Sequence, residues 1–189
     1  RWVRANLREI SRKVSIEDPE QLIRSKAIED ATNSMTETSS SLEQELMSAV
    51  SAHDTLTRSI NELGEKLLEW NDLYFPELRR HLRTIEKSAQ ILKEYPTRDL
   101  LLSESAKGKI PAELVRDAET SRYSLPSEQT ANVISQFASS IAQLVSLREV
   151  FNRRITELME SEAPNLSAVA GPLLGAKLIA KAGSTMNLV

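Results

Sequence analysis

The sequence predicts an all-α fold. Only five glycines and 4% aromatic residues occur among 189 positions, whereas sheets draw on turn glycines and on branched or aromatic strand residues. No run alternates apolar and polar residues convincingly. Two long stretches instead repeat apolar residues at steps of three and four, the period of one helix face. At this length, with 40% hydrophobic residues, one or two domains can bury a core.

Val3, Leu7, Ile10 and Val14 give one helical face, and Arg1, Arg4, Arg8 and Arg12 give another. Asp18-Pro19-Glu20-Gln21 is a helix start: Asp18 caps, Pro19 suits the first helical position, and Gln21 reaches back. That helix is expected to end near Ala31, with the Ser/Thr-rich run Thr32–Ser41 as an exposed joint. The first long helix follows, Ser41–Tyr74, opened by the capping-box pair Ser40 and Glu43. Its seam reads Leu42, Leu46, Ala49, His53, Leu56, Ile60, Leu63, Leu67, Trp70 and Tyr74, a coiled-coil heptad. Phe75-Pro76 breaks it, because a residue before proline avoids the α region. Pro76 opens the next helix, with Leu78, Leu82, Ile85 and Leu92 buried, and Tyr95-Pro96-Thr97 ends it.

A short helix is expected near Pro111–Thr120. The second long helix is Ser127–Glu162, with the seam Ile134, Phe137, Ile141, Leu144, Arg148, Phe151, Ile155 and Leu158. Two matched seams joined by the excursion 75–126, which holds four of the seven prolines, predict an antiparallel intramolecular coiled coil with a helical tip. Ala163-Pro164-Asn165 is a break, with Asn165 as N-cap of a helix Leu166–Ala182 and Gly183 as its stop. Small residues at Ala168, Gly171, Gly175, Ala176 and Ala180 let another backbone come close. The expected organisation is N-terminal helices over 1–40, a coiled-coil domain over 41–162, and the first helix of a second domain over 163–189.

Composition narrows function. There are no cysteines and only two histidines, which excludes disulfide scaffolds, thiolate chemistry and histidine-rich metal sites. A net charge of −3 excludes a globally basic nucleic-acid coat but not a local basic face. The uncharged stretch Ala163–Ala176 is too short to cross about 30 Å of hydrocarbon, and no signal peptide opens the chain. A cytosolic protein is expected. The chain starts on Arg1 rather than Met, and the expectation is a fragment or processed product.

Two stretches carry a resemblance. INELGEKLLEWNDLYFPEL, residues 60–78, and APNLSAVAGPLLGAKLIAKAGSTMNLV, residues 163–189, resemble the long-helix end and the opening of the Nop domain in the Nop-domain family. The nearest likeness is to archaeal Nop proteins of box C/D ribonucleoproteins, relatives of the eukaryotic nucleolar core proteins. The two runs cover about a quarter of the chain. The resemblance implies a non-catalytic scaffold for RNA-guided 2′-O-methylation. In such proteins an N-terminal domain holds the methyltransferase fibrillarin, and a coiled coil pairs two copies toward its far end. The Nop domain grips a kink-turn guide RNA together with its bound ribosomal-type protein. It also implies a cytoplasmic site in an archaeon and a nucleolar one in a eukaryote. Most of the fibrillarin-side domain and the later Gly-Ala-(acid or amide)-Lys motif of the family would lie outside this chain. A generic coiled-coil adaptor and a spliceosomal-type Nop-domain protein are the alternatives. A membrane-surface role would rest on the first helix, with Trp2 and its arginines.

No cofactor, metal or catalytic residue is expected. Gly171-Pro-Leu-Leu-Gly175-Ala-Lys177 has the wrong glycine spacing for a phosphate loop, and Leu178 replaces the required Ser or Thr. His53 and Arg148 read as polar residues that set helix register, and Arg148 is expected to meet a carboxylate of the first long helix. No nucleophile elbow occurs, and neither histidine has a triad context. Two basic stripes suit phosphate contacts. One is Arg1, Arg4, Arg8, Arg12 and Lys13. The other is Arg79, Arg80, Arg83 and Lys87, with Arg79, Arg83 and Lys87 on one helix face. Lys177 and Lys181 complete the candidate RNA-contacting set.

Overall fold

In the computed structural model of the chain, the described residues are 19–104, 108 and 110–188. The first amphipathic stretch, with Val3 to Val14, Trp2 and the stripe Arg1, Arg4, Arg8, Arg12 and Lys13, lies outside them, as does the cap Asp18.

From Pro19 the chain forms one unbroken helix, α1, Pro19–Asn71. The expected joint at Thr32–Ser41 is therefore helical, and no helix starts at Ser41. The physical reason is the lack of any breaker: no glycine or proline lies between Pro19 and Gly64. Serine and threonine each cost only up to about 0.7 kcal/mol relative to alanine in a helix. At 1.5 Å per residue α1 is about 80 Å long. It ends three residues earlier than Tyr74, where the Asn71 side chain donates to the Phe75 carbonyl at 2.9 Å and closes the turn before Pro76.

Among its described residues the excursion folds into four short α-helices. They are α2 (Leu78–His81), α3 (Ile85–Glu94), α4 (Arg98–Glu104) and α5 (Ala112–Thr120). The expected single helix after Pro76 is thus two. Leu82 is extended, and Thr84 caps α3 by accepting from the Lys87 amide. The break lets α3 turn back onto α1 at Gly64, where an added Cβ would lie 2.1 Å from Ile85 Cγ2. Pro111 stands before α5, as its sequence suggested.

The second long helix, α6, is Glu128–Glu162, with the Ser127 side chain accepting from the Thr130 amide. It runs antiparallel to α1. Near the C-terminal end of α1, Ile60, Leu67 and Leu68 share a core with Ile134, Ala138 and Ile141 of α6, and α2–α5 close over that end. At the other end Leu46, Ala49 and Val50 meet Ile155, Leu158 and Met159. Each fully buried leucine or isoleucine contributes about 1.5–3 kcal/mol, so the pair holds itself together within one chain. The 3–4 spacing is kept, with one correction: Leu63 is 37% exposed, and Gly64 is the buried residue beneath α3. Phe137, Leu144 and Phe151 are half-buried beside the same cores.

After α6 the backbone turns at Ala163. The expected helix Leu166–Ala182 is two helices, α7 (Pro164–Ala170) and α8 (Pro172–Ala182). Pro164 takes the first helical position and Ala163 the cap position, so Asn165 sits inside α7. Gly171, at φ 79°, separates the two, and Gly183, at φ 85°, ends α8. Ala176 and Ile179 are fully buried in the lower core between the two long helices. A Cβ at Gly175 would lie 2.8 Å from Met159 Cε and 3.3 Å from Leu166 Cγ, which explains the small residue there. The C-terminal helices therefore pack onto the base of the helix pair.

Candidate nucleic-acid interface

The expected basic face after Pro76 is divided by the break in the backbone. Arg79 and Arg80 stand on α2, Arg83 in the connection and Lys87 in the first turn of α3. Arg79, Arg83 and Lys87 therefore do not share one helix face. Arg79 is also consumed internally: its Nη1 donates to Glu65 at 2.9 Å and its Nε to Asp72 at 2.7 Å. The Glu65 hydrogen bond, then that to Asp72, raises its pKa above the ordinary arginine value against the opposing effect of burial. Asp72 Oδ1 and Glu77 Oε2 are buried nearby without a hydrogen-bond partner, so this side of the turn is acidic on balance. Arg80, Arg83 and Lys87 differ. All three are exposed, and no carboxylate among the described residues pairs with them.

The same short helices are pinned from several sides. His81 Nε2 lies 2.8 Å from Asp117 and Nδ1 3.6 Å from Glu113, tying α2 to α5. Arg98 donates to the Ser121 carbonyl at 2.7 Å and to the Tyr123 carbonyl, holding the loop before α6. Arg148 meets Glu86 of α3 at 3.2 Å, together with its neighbour Glu149 at 3.4 Å. Its partner therefore comes from the excursion rather than from the first long helix as expected. The reason is geometric: α3 covers the seam at that level, so its carboxylate reaches Arg148 first. Arg154 supplies the cross-pair contact instead, with Glu45 of α1 at 2.8 Å.

At the base, Lys177 and Lys181 both lie on α8. Lys181 is exposed, with no carboxylate partner among the described residues. Lys177 is engaged by Asp54 of α1 at 2.7 Å. His53, buried in the seam, places Nδ1 3.5 Å from the same Asp54 oxygen. The Lys177 hydrogen bond holds the Asp54 carboxyl below its usual value near 3.8, outweighing the desolvation that would raise it. Glu43, one turn into the base, accepts from the Thr185 amide at 3.2 Å and from its hydroxyl. Sequence reasoning missed Asp54 and Glu43, because nothing local marks a contact between residues so far apart in the chain.

Two exposed apolar regions accompany these charges. Leu73, Leu100, Tyr123 and Leu125 are exposed at the far end. An open groove of about 700 Å³ runs between the long helices, lined by Met47, Ser51, Leu56, Leu147 and Phe151. Among the described residues no group of three or more acidic, His or Cys side chains could hold a metal ion. No helix there is long and apolar enough to cross a membrane.

Comparison with known proteins addresses this arrangement. A family model described as the Nop snoRNA-binding domain, fibrillarin, matches residues 52–189. That stretch takes in most of the helix pair, the far-end helices and both C-terminal helices. A NOP5 family protein of Methanocaldococcus jannaschii is 32% identical over 147 residues, covering 76% of this chain and 36% of the relative. Nucleolar protein 58 of Schizosaccharomyces pombe is 30% identical over 147 residues, covering 76% of this chain and 29% of the relative. Nucleolar protein 58 of Dictyostelium discoideum is 28% identical over 148 residues, covering 76% and 23%. The chain thus spans about a third or less of the length of these relatives.

Proposed function

The chain belongs to the Nop snoRNA-binding domain family, and from that premise we propose that it acts as a non-catalytic scaffold of a box C/D ribonucleoprotein for RNA-guided 2′-O-methylation. Its work is spacing. The base, where α7 and α8 join the helix pair, belongs to the RNA-gripping end of the whole protein. The far end pairs two copies. The helix pair separates these two ends by the length of α6, about 50 Å. In the whole protein the N-terminal side couples to fibrillarin, and the RNA-gripping end meets a kink-turn RNA with its ribosomal-type protein.

The observation that carries this reading is the antiparallel pair of long helices with different surfaces at its ends. One end bears exposed Leu73, Leu100, Tyr123 and Leu125. The other bears α8, packed into the lower core through Ala176 and Ile179. No step of chemistry is needed, because a stiff spacer works by holding its partners at a fixed distance.

RNA contact at the excursion is assigned to Arg80, Arg83 and Lys87, with Lys181 and Lys177 at the base. Arg79 is left out because Glu65 and Asp72 already hold it. The test is binding of a small nucleolar RNA to the chain across a salt series. Combined alanine substitution of Arg80, Arg83 and Lys87 is expected to weaken binding and to flatten the log–log salt slope by about 0.7–0.9 per lost phosphate contact. An unchanged affinity and slope at low salt would remove this surface from the RNA interface.

A further inference from the structure

The pairing of Lys177 with Asp54 has a consequence for the RNA contact proposed at α8, and the inference rests on that proposal. A phosphate approaching α8 meets Lys181 free and Lys177 already neutralised. The Lys177 ammonium and the Asp54 carboxylate are 2.7 Å apart, and both are partly exposed, at 41% and 45%. Solvent reaches the pair from outside.

We propose that Asp54 is a built-in anionic competitor for the RNA phosphate at Lys177. Binding is then an exchange: the ammonium leaves the carboxylate of α1 and turns to the phosphate. The exchange has two linked effects. It subtracts the cost of breaking the ion pair from RNA affinity. It also releases a tie between α8 and α1, while Thr185 and Glu43 keep the other end of that joint closed. Because carboxylate and phosphate compete for one ammonium, strengthening the Asp54–Lys177 pair weakens RNA binding, by at most the same factor. His53 Nδ1 lies 3.5 Å from the same oxygen and, in the tautomer that carries its proton there, stays as a partner of Asp54 when the lysine turns away. That residual partner lowers the cost of the exchange. The buried side chains of Ala176 and Ile179 keep α8 seated meanwhile.

The size of the effect follows from the exposure of the pair. Exposed ion pairs couple weakly, so removing the competitor changes RNA affinity about two- to fivefold. The log–log salt slope stays near the parent's, because Lys177 meets a phosphate in the bound state of both.

The experiment is a double-mutant cycle on the whole chain, with a small nucleolar RNA as probe and affinity read across a salt series. Circular dichroism of each variant checks that the helices are intact. Asp54→Asn is expected to tighten binding two- to fivefold with little change in the salt slope, while Asp54→Glu, which keeps the charge, stays near the parent. Lys177→Gln is expected to cost more in the Asp54→Asn background than in the parent. If Lys177→Gln changes nothing in either background, the RNA reading of Lys177 fails and the competitor falls with it. If Lys177→Gln weakens binding in both backgrounds equally and Asp54→Asn does not tighten it, the competitor is overturned while the RNA contact stands.

Discussion

Gly64 shows how a single residue fixes the docking of a helix. Its missing side chain is what allows Ile85 to lie against α1, with Cγ1 and Cδ1 both 2.9 Å from where a Cβ would stand. The branched end of Ile85 cannot give way cheaply, because α3 is held at its start by the Thr84 cap and at its finish by Ser135, which donates to the Lys93 carbonyl at 2.8 Å. Gly64→Ala should therefore destabilise the chain by about 1–3 kcal/mol through overpacking, even though alanine is about 1 kcal/mol better than glycine in an open helix. Urea unfolding measures this, and adding Ile85→Ala to Gly64→Ala should recover part of the loss. A simple gain of stability in Gly64→Ala would mean that Ile85 does not abut this position. Sequence reasoning placed Gly64 in no role and gave Leu63 the seam. A one-residue drift of the buried stripe cannot be read from spacing alone, since leucine fits the apolar period and glycine is silent in it.

At the scale of elements, the legible features were those that a breaker or a cap writes locally. Ser127 before Glu128, Pro111 before Ala112 and Gly183 after Ala182 all act as their residue types suggest. Ser127→Ala should cost about 0.5–2 kcal/mol, the usual value of an N-cap, and thermal melting followed by circular dichroism would read it. No change in midpoint would show that Thr130 finds another acceptor. The illegible features depend on tertiary partners. The division between α2 and α3 is stabilised by what Ile85 and Leu92 find in the core shared with α1 and α6. The Ser/Thr-rich run after Ala31 misled in the opposite sense: weak helix formers without a breaker do not end a helix that is already nucleated on both sides. The placement of Arg79, Arg83 and Lys87 on one helix face failed for the same reason as the helix they were placed on. Once α2 and α3 separate, a spacing of four no longer means one face, and Arg79 turns to Glu65 and Asp72.

For the whole molecule, the antiparallel pairing was legible because two matched seams and one proline-rich excursion admit few other arrangements. How the C-terminal helices attach was not, because Asp54 with Lys177 and Glu43 with Thr185 join residues that no local pattern connects. The same molecule-wide view bears on self-association. Leu73, Leu100, Tyr123 and Leu125 are each exposed, on the excursion and the turns that flank it. Light scattering across a dilution series should give a mass near twice 21.1 kDa. Combined substitution of Leu73, Tyr123 and Leu125 by serine should shift it toward the single-chain mass without loss of helicity. A single-chain mass for the parent at tens of micromolar would move pairing to another surface, with the open groove beside Leu147 as the first to test.

The length of α1 carries one more consequence. Residues 24–31 each keep more than a third of their surface exposed, and along this stretch α1 is a shaft. A helical shaft indexes direction as well as distance. Removing one residue from it shortens the shaft by about 1.5 Å but turns everything ahead of the cut by about 100° about the axis. Removing seven shortens it by about 10 Å and restores the bearing to within about 20°. Azimuth, then, is encoded in residue count, and a one-residue and a seven-residue deletion separate what this end of the molecule needs in angle from what it needs in reach.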